Sequence, residues 1–113
     1  MEILESKTND ILVLTFKGRL DANHANAAQE RVVALIDKGE TRLVADLSQL
    51  EYISSAGLRV MLALAKRLKD TRGALALCAM GDPVRQVFDL AGFMPLFAVE
   101  ASRDAAVKRV AGG

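Results

Sequence analysis

After an opening pair of β-rich runs, apolar strand-like segments alternate with segments of helical period to the end of the chain, and this restricts the fold more than any single residue does. Residues 11 to 17 (ILVLTFK) are β-rich and follow a weaker run at 2 to 6, with the turn residues Thr8-Asn9-Asp10 between them, so an opening hairpin is expected. Residues 22 to 38 carry Ala25, Ala28, Val32, Leu35 and Ile36 at helical spacing, with Asp21 or Asn23 to cap the start and Gly39 to end it. Residues 42 to 47 (RLVADL) read as a short strand, and a helix is expected from near Gly57 to about Thr71. Residues 74 to 80 (ALALCAM) are apolar throughout, as in a strand covered on both faces. Asp82-Pro83 offers a capping carboxylate followed by proline in the first helical position, and Gly92 closes that helix. A strand over 94 to 99 and a helix over 102 to 111, with Ser102 as its cap, complete the order. Such alternation predicts an α/β fold of βα units with right-handed crossovers: a small, mostly parallel sheet of four to five strands, an N-terminal antiparallel hairpin strand, and helices packed on it.

Length and charge narrow the function. At 113 residues the sequence suits one domain spanning 1–113, large enough to bury roughly 65 % of its unfolded surface without disulfides or metal. Fifteen basic and 14 acidic residues leave a net charge of +1, which gives no electrostatic reason to bind nucleic acid or an anionic membrane. Cys78 has no second cysteine to pair with, and Cys78 and His24 together fall short of a four-ligand zinc site. No apolar run approaches the ~20 residues needed to span a bilayer, and MEILESKTND is not a signal peptide. A soluble, cytoplasmic protein without metal or cofactor is expected, as a monomer or weak dimer.

The most informative segment is Asp46 to Leu58, where a strand ends, a loop follows, and Ser54 and Ser55 stand before a helix. One serine there has a structural task, since its hydroxyl can accept from a free N–H of the first helical turn, worth ~0.5–2 kcal/mol. The other can be a regulated surface group. A phosphoryl group would add ~1.5–2 negative charges at neutral pH, and a helix N-terminus favours an anion by ~0.3–1 kcal/mol. The fold would survive, whereas a partner resting on this end would have to desolvate the charge at a cost of several kcal/mol, each ~1.4 kcal/mol being tenfold in affinity. In the helix beyond, Leu58, Met61, Leu62, Ala65 and Leu68 form the core stripe. Val60 and Leu64 lie to one side, near Arg59, Ala63 and Arg67, where they either meet a neighbouring helix or form an exposed apolar ridge suited to protein binding.

The run DLSQLEYISSAGLRVML at 46 to 62 resembles the signature of the STAS domain, and specifically of bacterial anti-sigma factor antagonists. Gly18-Arg19-Leu20-Asp21 resembles the family's turn after the second strand, and Asp82 to Gly92, with Phe88, its later helix. The resemblance implies a protein that binds a serine kinase which otherwise holds a sigma factor, and that is released by phosphorylation and restored by a serine phosphatase. It assigns the phosphoacceptor to Ser55, with Ser54 as the second candidate, and the partner surface to Asp21, Ser54, Ser55, Ala56, Gly57 and Leu58. The ridge reading adds Arg59, Val60 and Leu64 to that surface. Many family members carry Asp before the acceptor and Ser after it, where this chain has Ser54 and Ala56.

Two other readings stand beside this one. A STAS subunit that is never phosphorylated could support a transporter's ATPase or a stress-sensing complex. A small hydrolase would have to use Ser55 with His24, the only histidine, yet neither serine sits in a Gly-x-Ser-x-Gly elbow and no phosphate-binding glycine motif occurs. Cys78 reads as a small buried hydrophobe, and Met61, Met80 and Met94 as core filler. Asp46 could bind Mg2+ at a strand end but is better placed to hydrogen-bond a loop.

Overall fold

A computed structural model describes residues 1–112. The order is β1 (Glu2–Thr8), β2 (Ile11–Leu20), α1 (Ala25–Asp37), β3 (Arg42–Asp46), β4 (Leu50–Ile53), α2 (Ser55–Asp70), β5 (Ala74–Cys78), α3 (Asp82–Leu90), β6 (Ala98–Glu100) and α4 (Arg103–Gly112). The expected α/β architecture holds: β1 and β2 form an antiparallel hairpin, and β2, β3, β5 and β6 run parallel in the sheet order β1-β2-β3-β5-β6. The hairpin closes through Asn9 and Asp10, with Asn9 at φ 58°, a left-handed turn conformation that asparagine tolerates.

Several details differ from expectation. The sheet has a sixth strand, β4, which pairs in parallel with the far end of β2 across a register shift at Gly18/Arg19. That pairing also extends β2 to Leu20, beyond the expected end at residue 17. Residues 94 to 99 do not form one strand: Met94–Leu96 is a single 3-10 turn, and β6 begins at Ala98. Pro95 has no N–H to give a ladder, which suits the turn. α3 is capped by the Gly81 backbone, so Asp82 and Pro83 occupy its first two positions and the Asp82 side chain is not the cap. Ser102 does cap α4, accepting from the Ala105 N–H at 3.2 Å.

Alternate residues of the central strands supply two cores. On one face Leu12, Leu14, Phe16, Leu43, Ala45 and Leu77 pack with α1, α2 and α3. On the other, Ile11, Val13, Val44, Ala76 and Cys78 pack beneath Ala106 and Val110 of α4. β5 is thus covered on both sides, as its uninterrupted apolar sequence requires.

α4 is also held by charge. The Arg103 guanidinium donates to Asp46 Oδ2 at 2.8 and 3.1 Å and to Thr15 Oγ1 at 3.0 Å, while Asp46 Oδ1 accepts from the Ser48 N–H at 2.9 Å. With both oxygens engaged by protein donors, Asp46 serves the loop and α4, and no cluster of acidic, histidine or cysteine side chains gathers around it as a metal site among the described residues. Burial pushes the Asp46 carboxyl up, but the Ser48 N–H and Arg103 outweigh it and hold it below its ordinary 3.8. A carboxyl depressed on folding adds stability that is complete above its unfolded value and is lost as pH falls through the folded one. Asp46→Asn is expected to flatten the dependence of stability on pH below about pH 4, measured by urea unfolding across an acid series. Burial, with the nearby Asp46 charge, raises the Cys78 thiol to about 11. Native protein at pH 8 should therefore resist an aromatic disulfide reagent that reacts at once after unfolding.

Candidate functional site

The site is built where β2 and β4 end and α2 begins. Ser54 has extended backbone (φ −95°, ψ 176°) and is the N-cap, and its carbonyl accepts from the Leu58 N–H at 2.9 Å. Its hydroxyl is used in both directions: it accepts from the Gly57 N–H at 3.2 Å and donates to the Leu20 carbonyl at 3.4 Å. The Ser54 N–H donates to the same carbonyl at 3.0 Å. Ser54 therefore has the structural task that one of the two serines was expected to have.

Ser55 is the first residue of α2, two positions before the start expected near Gly57, and it is exposed. The first turn of α2 contains no acidic residue, so the partial positive charge of the helix end is uncompensated where the Ser55 side chain emerges. Gly57 explains how this end sits so close to β2. A Cβ there would lie 2.5 Å from the Leu20 oxygen and 2.7 Å from Ile53 Cγ1. The residue is a glycine because the strand backbone occupies the space a side chain would need.

Asp21 follows Leu20 and comes to the same end of the molecule. It accepts from the Asn23 N–H at 3.1 Å, and its Oδ1 lies 2.8 Å from His24 Nδ1. Partial burial raises the Asp21 carboxyl, but the His24 ring and the Asn23 and His24 N–H groups outweigh this and hold it low. His24 is exposed at the N-cap position of α1 and gives no side-chain cap. Its ring is committed to Asp21, and among the described residues no hydrogen bond joins it to Ser55, so the arrangement a Ser/His hydrolase needs is not formed.

The expected partner surface divides. Asp21, Ser54, Ser55, Ala56 and Arg59 reach the surface fully or in part. Gly57 and Leu58 are buried, and so are Val60 and Leu64 at 2 % and 1 % exposure. The exposed apolar ridge is thus corrected: α1 packs beside α2, and Val60 and Leu64 belong to the core that includes Ala25, Ala28 and Val32 of α1. The structure adds an exposed pair that the sequence reading passed over. The Arg19 guanidinium lies 4.4 Å from the centroid of the Tyr52 ring, across the β2–β4 pairing, the two residues standing two positions before Asp21 and Ser54 respectively. Arg19 stands in a turn motif already singled out, but its partner is set by a strand pairing that local pattern does not show.

Residues 3–106 match the family model of the STAS domain. The chain belongs to the STAS domain family. This STAS domain is 42 % identical over 106 residues to BtrV of Bordetella bronchiseptica, which carries a provisional assignment as an anti-sigma factor antagonist; the match covers 94 % of this chain and 91 % of that protein. A crystal structure of an anti-sigma factor antagonist from Mycobacterium paratuberculosis superposes with a TM-score of 0.88 at 25 % identity, covering 97 % of this chain and 93 % of the other. The Bacillus protein SpoIIAA shares the fold in both its unphosphorylated and phosphorylated forms, with TM-scores of 0.75 and 0.73 at 20 % and 22 % identity. The unphosphorylated comparison covers 99 % of this chain and 100 % of SpoIIAA, and the phosphorylated one 96 % and 99 %. The family consists of interaction modules rather than enzymes, and this STAS domain is one of them.

The geometry separates the two serines and the glycine by their effect on stability. Gly57→Ala should destabilise the fold by about 1–3 kcal/mol through overpacking, against the helix propensity of alanine. Ser54→Ala should cost about 1 kcal/mol, and Ser55→Ala should stay within about 0.5 kcal/mol of the parent. Urea unfolding of the three variants measures the order directly.

Proposed function

We propose that this STAS domain is an anti-sigma factor antagonist whose binding is switched by phosphorylation of Ser55. In the unmodified form it captures a serine kinase that otherwise holds a sigma factor, and so frees the sigma factor. The kinase transfers the γ-phosphoryl group of ATP to Ser55 Oγ: an Oγ–P bond forms, the bond to the leaving ADP breaks, and the hydroxyl proton is released. A serine phosphatase hydrolyses the ester and restores the binding form. A reaction that consumes ATP belongs in the cytoplasm.

The observation that carries this reading is the unequal use of two adjacent hydroxyls. Ser54 Oγ is bound to Gly57 and Leu20 at the base of the helix, whereas Ser55 is exposed one residue further on. A kinase can reach Ser55 without breaking the cap. The product would carry ~1.5–2 negative charges at the positive end of α2, where the host tolerates them and a docked partner does not. The surface offered to the kinase comprises Asp21, Ser54, Ser55, Ala56 and Arg59, with Gly57 and Leu58 as its buried support. The similarity to BtrV, and to SpoIIAA in its two phosphorylation states, supports the same reading.

Incubation with the cognate kinase and ATP should add one phosphoryl group, located at Ser55 by mass spectrometry and absent from Ser55→Ala. In pull-downs with that kinase, Ser55→Asp should bind at least about tenfold more weakly than the parent, equivalent to ~1.4 kcal/mol. Phosphate appearing on Ser54 instead, or full affinity in Ser55→Asp, would refute the assignment.

A further inference from the structure

Arg59 lies four residues beyond Ser55 on α2, and both are exposed. Side chains at this spacing are neighbours on one helix face, about 5–6 Å apart at Cβ, and an anion preceding a cation is the favoured order. Most arginines of the chain are already committed. Arg31, Arg42, Arg67, Arg103 and Arg109 pair with Glu5, Asp10, Asp37, Asp46 and Glu100, and Arg19 lies over Tyr52. Among the described residues Arg59 makes no salt bridge, as is also true of Arg72 and Arg85 away from this helix end, and the first turn of α2 has no acidic residue to supply one. The carboxylate on the adjoining turn, Asp21, is occupied by His24 and the Asn23 N–H. Arg59 is thus an uncommitted cation one helical turn from the proposed acceptor.

We propose that Arg59 is the counter-charge of the switch. In the unmodified chain its guanidinium is presented to an acidic group of the partner. When Ser55 is phosphorylated, the dianion draws Arg59 onto itself, so that one modification both adds negative charge and withdraws the cation the partner needs. A guanidinium suits this role because its planar fork can hold two phosphate oxygens at once. The inference rests on the reading of Ser55 as acceptor, and it names Arg59 as a positioning and specificity residue of that site.

The test does not require the cellular kinase reaction. Phosphoserine is placed at position 55 by recoded translation, in the parent chain and in Arg59→Gln and Arg59→Lys. The second ionisation of the phosphate, ordinarily near pH ~6, is followed by phosphorus NMR. Arg59→Gln should raise it by about 0.3 pH units, and Arg59→Lys should restore most of that shift. A purely structural role for Arg59 would leave the titration unmoved, and identical titrations in parent and Arg59→Gln would overturn the proposal. In a second arm, unmodified Arg59→Gln should bind the kinase about tenfold more weakly than the parent, with the difference shrinking in high salt. Equal affinity would also overturn it. Failure of the parent itself to bind any such kinase would instead remove the proposed function, while the phosphate titration would still decide the pairing.

Discussion

The Leu20 carbonyl oxygen, at the end of β2, is the contact on which the placement of α2 depends. It accepts from the Ser54 N–H at 3.0 Å and from the Ser54 hydroxyl at 3.4 Å, and it sits where a side chain on Gly57 would otherwise project. Three groups of one loop and helix turn therefore close on a single strand terminus. A helix held this tightly at its first turn cannot roll about its axis, so Leu58, Met61, Leu64 and Leu68 are directed inward while Ser55 and Arg59 are directed outward. The chemistry of the surface follows from a backbone contact beneath it.

Much of this was legible in the sequence, because local chemistry and long-range packing agree in most elements. The Asn9-Asp10 turn, the double-faced strand at Ala74–Cys78 and the Ser102 cap are all written in residues whose preferences the fold satisfies. β4 was not legible. Its four residues, Leu50-Glu51-Tyr52-Ile53, are buried only at the two ends and have no strand period; they are a strand because the bulged end of β2 offers them partners. The segment at 94 to 99 fails for the opposite reason. Its composition is β-rich, but proline at its second position favours a turn before pairing with β5 begins.

At the site the limit was a boundary. A helix drawn from Gly57 leaves two equivalent serines in front of it, and either can be the cap. Moving the start back to Ser55 makes Ser54 the cap and leaves Ser55 as an exposed first-turn residue. Two residues of helix decide which hydroxyl is structural, and propensity does not fix ends that finely. Val60 and Leu64 show a similar limit. Their offset from the main stripe fits either an exposed ridge or contact with a second helix, and only the packing of α1 against α2 selects the latter. The breadth of the apolar arc on α2 was the available signal, since a helix wedged between a sheet and another helix needs more than one buried stripe.

The division between the serines also means that the proposed regulation by charge would spare the fold. Every hydrogen bond that ties α2 to β2 at this joint is made by Ser54 or Leu20, with Gly57 supplying the close approach, and Ser55 contributes none of them. The polar anchor of α4, the Arg103–Asp46–Thr15 network, lies on the opposite face of the sheet. A dianion on Ser55 would therefore meet neither the joint nor the Arg103–Asp46 ion pair, but only solvent, the favourable helix end and the nearest cation on its own face. Under the proposed function binding is different, because the partner would cover that same point and displace its water. On that proposal, sensitivity at the surface and indifference in the core have one origin: the hydroxyl proposed as acceptor is adjacent to, and distinct from, the hydroxyl that holds the helix in place.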